Sequence, residues 1–202
     1  MVSRAKLLFY VIPLVLISNT SLAEDNWIET ARENNCVFYK GKIKNGITPI
    51  RAVCDWEHIN PSKLNALLQE AADYDKYFSG LASCDPADPV DGINRVLQIH
   101  KYTGLTARAA FIEFQQQEIP NGKRYTYTKS KDQTKLKKEF VEIKTHTGHW
   151  DVIRRKLGSR LIFESRYSAG GAVPNFLIRW FQGAGTRKVV ADLKKYVEGQ
   201  KK

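Results

Sequence analysis

The sequence lacks most of the short signatures that mark a catalytic centre. It contains no Gly-rich phosphate loop, no serine in a nucleophile-elbow pattern and no Cys/His pattern typical of a catalytic or metal site. Its three cysteines include no C-x-x-C pair, which removes the support for a thioredoxin-like centre or a zinc ribbon. We therefore predict no catalytic residues, no metal site and no cofactor. There is also no internal repeat and no low-complexity segment.

Long hydrophobic runs are equally scarce. Only residues 7–17 are almost continuously apolar, and this run is far shorter than the roughly 20 residues that span a bilayer. Arg4 and Lys6 precede it, and Ser21-Leu22-Ala23 places small residues at the two positions that a signal peptidase reads. No cysteine follows closely, which argues against a lipid anchor. We therefore predict a signal peptide over residues 1–23, cleaved after Ala23, and a periplasmic or secreted protein.

Acidic residues are fewer than basic ones. The chain has 21 Asp and Glu against 32 Lys and Arg, and only Arg4 and Lys6 of these lie in the predicted signal peptide, so the mature chain keeps a net charge of +9. Such a charge favours anionic partners. Because an exported protein seldom meets nucleic acid, we expect transient contact with an anionic membrane surface and no nucleic-acid partner.

The length of the mature chain, residues 24–202, is sufficient for one domain with a substantial core. We expect a single domain and a monomer. Residues 25–34 suggest a short lead-in helix, and residues 36–42 and 47–56 are typical of a β-hairpin. Asn60-Pro61 is a helix-start signal, with Asn as the cap and Pro at the first helical position.

From about residue 80 the hydrophobic period is that of strands for nearly ninety residues. At the end of the chain the period returns to that of a helix over residues 174–197, with a kink or a brief break expected at Gly183 and Gly185. Short connections predict antiparallel neighbours, so we expect a strongly curved α+β structure in which about seven strands wrap around one long C-terminal helix. The strands after the first hairpin are predicted at residues 81–84, 94–102, 109–118, 123–130, 140–155 and 159–167.

Cys36 and Cys54 flank the turn Lys44-Asn45-Gly46 of the predicted hairpin. A three-residue loop places the two cysteines opposite each other, whereas a loop one residue shorter moves them out of register. A disulfide and a set of three reduced, buried side chains are both compatible with the sequence.

Alternation along the strands predicts which side chains point inward. Leu161, Phe163 and Tyr167 alternate with charged residues, and Trp150 and Val152 flank Asp151, so the apolar sets are predicted to face the helix. The strand over residues 94–102 has apolar or aromatic residues on both faces, and either orientation is compatible with its pattern.

Five short motifs follow one another along the chain: Trp27 with Cys36-Val37-Phe38-Tyr39, Asn60-Pro61 with residues 64–68, residues 74–80, Gly148-His149-Trp150, and Gly170-Gly171-Ala172-Val173-Pro174 with Phe176-Leu177. In this order they resemble the START lipid-transfer domains of the helix-grip superfamily, which includes Bet v 1-like proteins and polyketide aromatase/cyclases. Around residues 103–111 many START members carry a Pro-rich loop and an Asp-Arg-Asp run, of which only Arg108 is present, so no polar anchor is carried over.

The resemblance implies a helix-grip fold with an internal cavity that holds a lipid or a sterol-like molecule without covalent attachment. The competing interpretation is that these large apolar residues fill a solid core. The candidate lining residues are Phe111 or Phe114, Tyr125 or Tyr127, Trp150, Val152, Leu161, Phe163, Tyr167, Phe176, Leu177, Trp180 and Phe181.

An enzymatic alternative is an aromatase/cyclase-like or hydrolytic member of the same superfamily. It would depend on titratable groups that converge in the pocket, and His100 and Tyr102 share one strand face while Glu113 lies on another strand. His146 and His149 are three residues apart on a predicted strand, where side chains point to opposite faces, so they are not predicted to share a metal.

Overall fold

A computed structural model of the protein describes residues 26–173 and 183–199. The predicted signal peptide, residues 1–23, and the first part of the predicted C-terminal helix, residues 174–182, lie outside the described residues. Within the described ranges, no helix combines the length and the apolar character that crossing a bilayer requires.

Ten strands form one curved sheet, and a helix near the C-terminus closes it. The order across the sheet is β1-β2-β3-β10-β9-β7-β6-β5-β4, and β8 pairs with β6. The last strand, β10, pairs with β3, so strands from the two halves of the chain adjoin near the middle of the sheet. The strands are β1 (Ile28–Glu33), β2 (Cys36–Lys40), β3 (Ile50–Trp56), β4 (Leu81–Val90), β5 (Ile93–His100), β6 (Arg108–Ile119), β7 (Gly122–Lys129), β8 (Val141–Glu142), β9 (Thr145–Arg154) and β10 (Ser159–Ser168).

The predicted α+β helix-grip architecture is confirmed, but the predicted count of about seven strands is wrong. The lead-in helix predicted over residues 25–34 is absent from residues 26–34, because Asn34 and Asn35 both take positive φ angles, of 52° and 60°, and turn the chain so that β1 pairs with β2. The predicted strand over residues 140–155 is divided into β8 and β9. The two-residue β8 pairs with β6 in a parallel sense, an exception to the predicted antiparallel order.

The first helix begins where its capping residues place it. In α1 (Pro61–Gln69) the Asn60 Oδ1 atom accepts a hydrogen bond of 2.8 Å from the Ser62 amide, which confirms the predicted cap. A 3₁₀ helix (Ala71–Lys76) follows. The C-terminal helix α2 (Ala184–Gly199) begins between the two glycines that the sequence marks, and it buries Val190, Leu193 and Val197 in the core.

Cys36 and Cys54 form a disulfide across β2 and β3. The turn itself has only the two residues Asn45-Gly46, enclosed by a pairing of Lys44 with Ile47, and this loop alone would move the cysteines out of register. Between the Lys44–Ile47 pair and the Gly41–Pro49 hydrogen bond, one side of the hairpin has two residues, 42 and 43, and the other side has only residue 48. This extra residue shifts the pairing by one and restores the register of the two cysteines. The third cysteine, Cys84, is free and buried.

Removal of the disulfide is expected to lower the free energy of unfolding by about 3 kcal/mol, because the bridge closes a loop with a sequence separation of 18 residues. The measurement is urea unfolding of the wild type and of the Cys36→Ser/Cys54→Ser double variant. Reductant should destabilise the wild type to a similar extent and leave the double variant unchanged. Equal stability of the oxidised wild type and the double variant would contradict the expectation.

Candidate functional site

The candidate site is a cavity of about 140 Å³ between the concave face of the sheet and helix α2. Its wall contains side chains from β3, β4, β5, β6, β7, β9 and β10, from the 3₁₀ helix, from the segments that follow the 3₁₀ helix and β5, and from the first turns of α2. The lining residues are Ile50, Tyr74, Phe78, Gly80, Leu81, Gln98, His100, Tyr102, Phe114, Tyr127, His146, Trp150, Phe163, Ser165, Tyr167, Gly185, Thr186 and Val189.

Stacked aromatic rings form the apolar wall of the cavity. Trp150 on β9 lies directly opposite Phe163 on β10, and their rings stack with centroids 4.0 Å apart. On its other side Trp150 stacks on Phe78, with centroids 5.7 Å apart. Phe78 in turn meets Tyr74 edge to face, and Tyr74 meets Phe114 in the same way. This continuous aromatic surface suits the burial of an apolar molecule.

Polar groups cluster at the opposite end of the cavity, where β5, β9 and β10 approach one another. The Nε2 atom of His146 lies 3.2 Å from Oε1 of Gln98, and Nδ1 of His100 lies 3.3 Å from the Tyr102 hydroxyl. The Tyr102 hydroxyl is 3.4 Å from that of Tyr167. The two imidazole rings meet edge to face, with centroids 5.6 Å apart.

Burial keeps both histidines uncharged near neutral pH. It lowers the pKa of His100 to about 4, and burial together with the neighbouring His100 lowers the pKa of His146 to about 3. Burial also raises the pKa of the Tyr102 hydroxyl. The polar end of the cavity therefore offers hydrogen bonds from neutral groups rather than a formal charge.

A close backbone approach at Gly148 shapes this region of the sheet. A Cβ atom at that position would lie 2.1 Å from the Glu164 carbonyl oxygen and 2.4 Å from the Tyr127 hydroxyl, which are both far inside contact distance. The absence of a side chain lets the Tyr127 ring cross the strand and place its hydroxyl 3.3 Å from that same carbonyl oxygen. Tyr127 thereby becomes part of the cavity wall.

Several solved structures with the same architecture are named as lipid-transfer proteins. One is the STAR-related lipid transfer protein from Xanthomonas axonopodis, with a TM-score of 0.74 and 13% identity over 86% of this chain and 99% of that chain. Another is human StAR-related lipid transfer protein 5, with a TM-score of 0.72 and 10% identity over 86% of both chains. The chain has the START fold.

A solved structure with a lower structural similarity to this chain is named as an enzyme. The Zhui aromatase/cyclase from Streptomyces has a TM-score of 0.52 and 12% identity over 76% of this chain and 93% of that chain. No protein-family model matches the sequence, and no curated protein sequence matches it significantly. At these identities the likeness establishes the fold and leaves the ligand to be argued from this chain's own residues.

Five of the candidate lining residues do line the cavity within this START fold: Phe114, Tyr127, Trp150, Phe163 and Tyr167. Val152 and Leu161 point to the same face of the sheet but are fully enclosed in the packed core, outside the cavity wall. The other predicted residues, Phe176, Leu177, Trp180 and Phe181, lie outside the described residues.

Phe111 does not line the cavity, contrary to the prediction. It pairs with Leu97 on the convex face, where the Arg95 guanidinium lies 4.7 Å from its ring centroid and Gln133 receives a hydrogen bond from its amide. The segment that contains Gln133 covers this part of the convex face, so both faces of β6 are buried here. The pattern of apolar residues along β6 therefore does not indicate which of its side chains face the cavity. Phe114, the other candidate on this strand, lines the cavity instead.

Sequence reasoning missed the contributions of Tyr74, Phe78 and His146. The aromatic residues at 74–78 stand out in the sequence, but no local pattern indicates that they line a cavity. His146 stands out only through its spacing from His149, and the structure places His149 on the convex side, 3.8 Å from Asp151 and 3.9 Å from Glu164. Within residues 26–173 and 183–199, no group of three or more metal-ligating side chains is present.

Proposed function

We propose that the protein binds one apolar ligand, a lipid or a sterol-like molecule, without covalent attachment in the cavity between the sheet and helix α2. The observation that carries this proposal is the aromatic wall formed by Trp150, Phe163, Phe78 and Phe114, which leads to a small polar end. A wall of this composition favours removal of an apolar surface from water, which contributes about 2.5 kcal/mol per 100 Å² before ordering costs.

The size of the cavity sets a condition on binding. Its volume of about 140 Å³ is smaller than the roughly 300–1,000 Å³ of sites that enclose a drug-sized molecule. A lipid would therefore enter with an outward displacement of α2, or would insert only part of its length. Val189, Thr186 and Gly185 on the first turns of α2 form the part of the wall that such a displacement moves.

We further propose that the protein acts outside the cytoplasm. The Cys36–Cys54 disulfide supports this location, because such bonds persist mainly in oxidising compartments. The predicted contact with anionic membranes would use exposed lysines between β7 and β8, among them Lys131, Lys137 and Lys138. Contact with a membrane and the monomeric state both stay predictions.

The enzymatic alternative has weaker support. His100 and Tyr102 do line the cavity, as cyclase-like chemistry would require. Their surroundings argue against it, because pKa values of about 4 for His100 and about 3 for His146 make both imidazoles weak bases at neutral pH. No carboxylate lines the described part of the cavity, so no acidic partner there would raise those values.

Filling the cavity from helix α2 is expected to abolish ligand uptake without unfolding the protein. Val189 is half-buried and faces the cavity, so the indole of Val189→Trp would occupy space that a ligand needs. The measurement is titration of delipidated protein with the apolar fluorophore 1-aminoanthracene, for which we expect at least a tenfold increase in Kd in the variant.

Lys195→Trp is the matched control, because it places the same ring on an exposed position of the same helix, where uptake should be unchanged. Native mass spectrometry of protein purified from its own host should also show the mass of a bound lipid. If no lipid co-purifies and the wild type takes up no fluorophore, the proposed function is wrong.

A further inference from the structure

Two imidazole nitrogens at the polar end of the cavity have no hydrogen-bond partner in the described part of the chain. They are Nδ1 of His146 and Nε2 of His100, and both atoms are shielded from solvent. His100 as a whole is only 8% exposed. Buried polar atoms without partners are rare in folded proteins because they give up hydrogen bonds to water and gain nothing in exchange. Both residues line the cavity, so a bound molecule can reach them.

The hydrogen-bond network determines which of these atoms is an acceptor. The side-chain oxygen of Gln98, Oε1, is the atom that faces Nε2 of His146, at 3.2 Å. Because that oxygen only accepts, His146 is protonated on Nε2, and its Nδ1 carries a lone pair.

The tyrosines allow the other histidine to take the complementary role. The Tyr102 hydroxyl lies 3.4 Å from the Tyr167 hydroxyl, where either group can donate, and 3.3 Å from Nδ1 of His100. When Tyr167 donates to Tyr102, the proton of Tyr102 is directed at Nδ1 of His100. In this arrangement His100 is protonated on Nε2, which becomes a hydrogen-bond donor.

We propose that His146 and His100 together bind the hydroxyl group of an otherwise apolar ligand. A hydroxyl can donate to Nδ1 of His146 and accept from Nε2 of His100, which is the pair of roles that the network leaves open. An ether or an ester has no proton to give to His146, and a carboxylate at neutral pH has none either. This inference rests on the proposed function and narrows the ligand to the alcohol class.

The uncharged state of the site supports an alcohol over an anion. Both histidines are neutral at physiological pH, and no basic side chain lines the cavity within the described residues. The buried cation nearest to this end, Arg108, directs its guanidinium to the carbonyl oxygens of Thr106 and Ala172 rather than into the cavity wall. The head group selected here is therefore polar but without charge.

The test compares two isomers of which only one has a hydroxyl proton. Delipidated full-length mature protein is titrated with 1-decanol and with 1-methoxynonane, each by displacement of 1-aminoanthracene, and decanoate is the anionic comparison. The wild type should bind 1-decanol at least tenfold more tightly than either of the others. In His146→Phe the preference for the alcohol over the ether should be lost.

A conservative variant separates hydrogen bonding from packing. His146→Asn keeps an acceptor near the position of Nδ1 and should retain much of the preference, and the exposed His58→Phe is the control for the substitution itself. Equal affinity of the wild type for the alcohol and the ether, or tighter binding of decanoate, would overturn the inference and leave apolar-ligand binding intact. Failure of the wild type to bind any of the probes would overturn the proposed function as well.

Discussion

Acidification from pH 7 to pH 4 is expected to lower the free energy of unfolding by at least about 3 kcal/mol through the buried histidines. Burial lowers the pKa of His100 to about 4, and burial together with His100 lowers that of His146 to about 3. Both side chains regain an ordinary pKa of about 6.5 when the chain unfolds.

The direction of the effect follows from which state binds more protons. Between pH 6.5 and pH 4 the unfolded chain takes up a proton on each histidine and the folded protein does not, so stability falls as the pH falls through this window and is fully present above it. For His100 the difference of about 2.5 pH units corresponds to about 3 kcal/mol. His146 adds less than its own shift suggests, because part of that shift arises from His100.

Two other ionisable side chains, Asp132 and His149, also contribute to the pH dependence of stability. Hydrogen bonds from Thr134 and from Arg95 lower the pKa of Asp132 to about 2, so its contribution is lost only below about pH 4. His149 on the convex face has a pKa lowered by burial, and it acts in the same direction and in the same window as the cavity histidines. A variant that removes only the cavity histidines is therefore required to assign the effect.

The measurement is urea unfolding at pH 7.0, 5.5 and 4.0. The double variant His100→Gln/His146→Gln should show a much flatter dependence on pH than the wild type, whatever its stability at pH 7. The exposed His58→Gln variant should follow the wild type. A wild type whose unfolding free energy is constant from pH 7 to pH 4, or a double variant with the wild-type slope, would show that these imidazoles are not buried in neutral form.

Trp150→Ala is expected to destabilise the protein by about 3–5 kcal/mol, which is a large share of the stability of a single domain. The indole is only 2% exposed, and it stacks between Phe163 at 4.0 Å and Phe78 at 5.7 Å. Its removal extends the existing cavity, so the neighbouring rings lose contacts on one side without collapsing fully.

Trp27→Ala is the matched control for this substitution. Trp27 is half-buried on the outside of the sheet, where it packs over the Arg51 guanidinium at 4.0 Å, and we expect a loss of about 0.5–2 kcal/mol. Both losses are read from urea unfolding at pH 7. Indole added to Trp150→Ala should bind the enlarged cavity and restore part of the stability. Equal losses in the two variants would contradict a central role for the ring of Trp150.

The two predictions concern opposite ends of one cavity. At one end, stacked rings hold the sheet against α2 and supply apolar surface. At the other end, burial keeps His100 and His146 neutral down to a pH at which the same side chains in water are already protonated. Polar groups that are kept unsatisfied at a cost to stability are commonly found at binding sites, and in this protein both ends face the same enclosed space.

Local patterns in the sequence were sufficient to predict the structure where short-range preferences determine the backbone conformation. The Asn60-Pro61 cap, the alternation around Trp150 and Phe163, and the strand period after residue 80 each reflect a short-range preference that the fold keeps. The prediction failed where a second segment covers what would otherwise be a solvent face. Phe111 is buried on the convex side beneath the chain around Gln133, and no local pattern distinguishes that burial from burial in the cavity.

By itself, the sequence determined the fold class, the boundaries of most strands and the inward direction of the aromatic residues on β9 and β10, because hydrophobic period and capping act over a few residues. Only the tertiary structure decided that β1 is a strand, that Cys36 meets Cys54 despite a two-residue turn, and that His100 and His146 meet at one end of the cavity. Those outcomes depend on the register between strands far apart in the chain, and register is fixed by packing over the whole sheet.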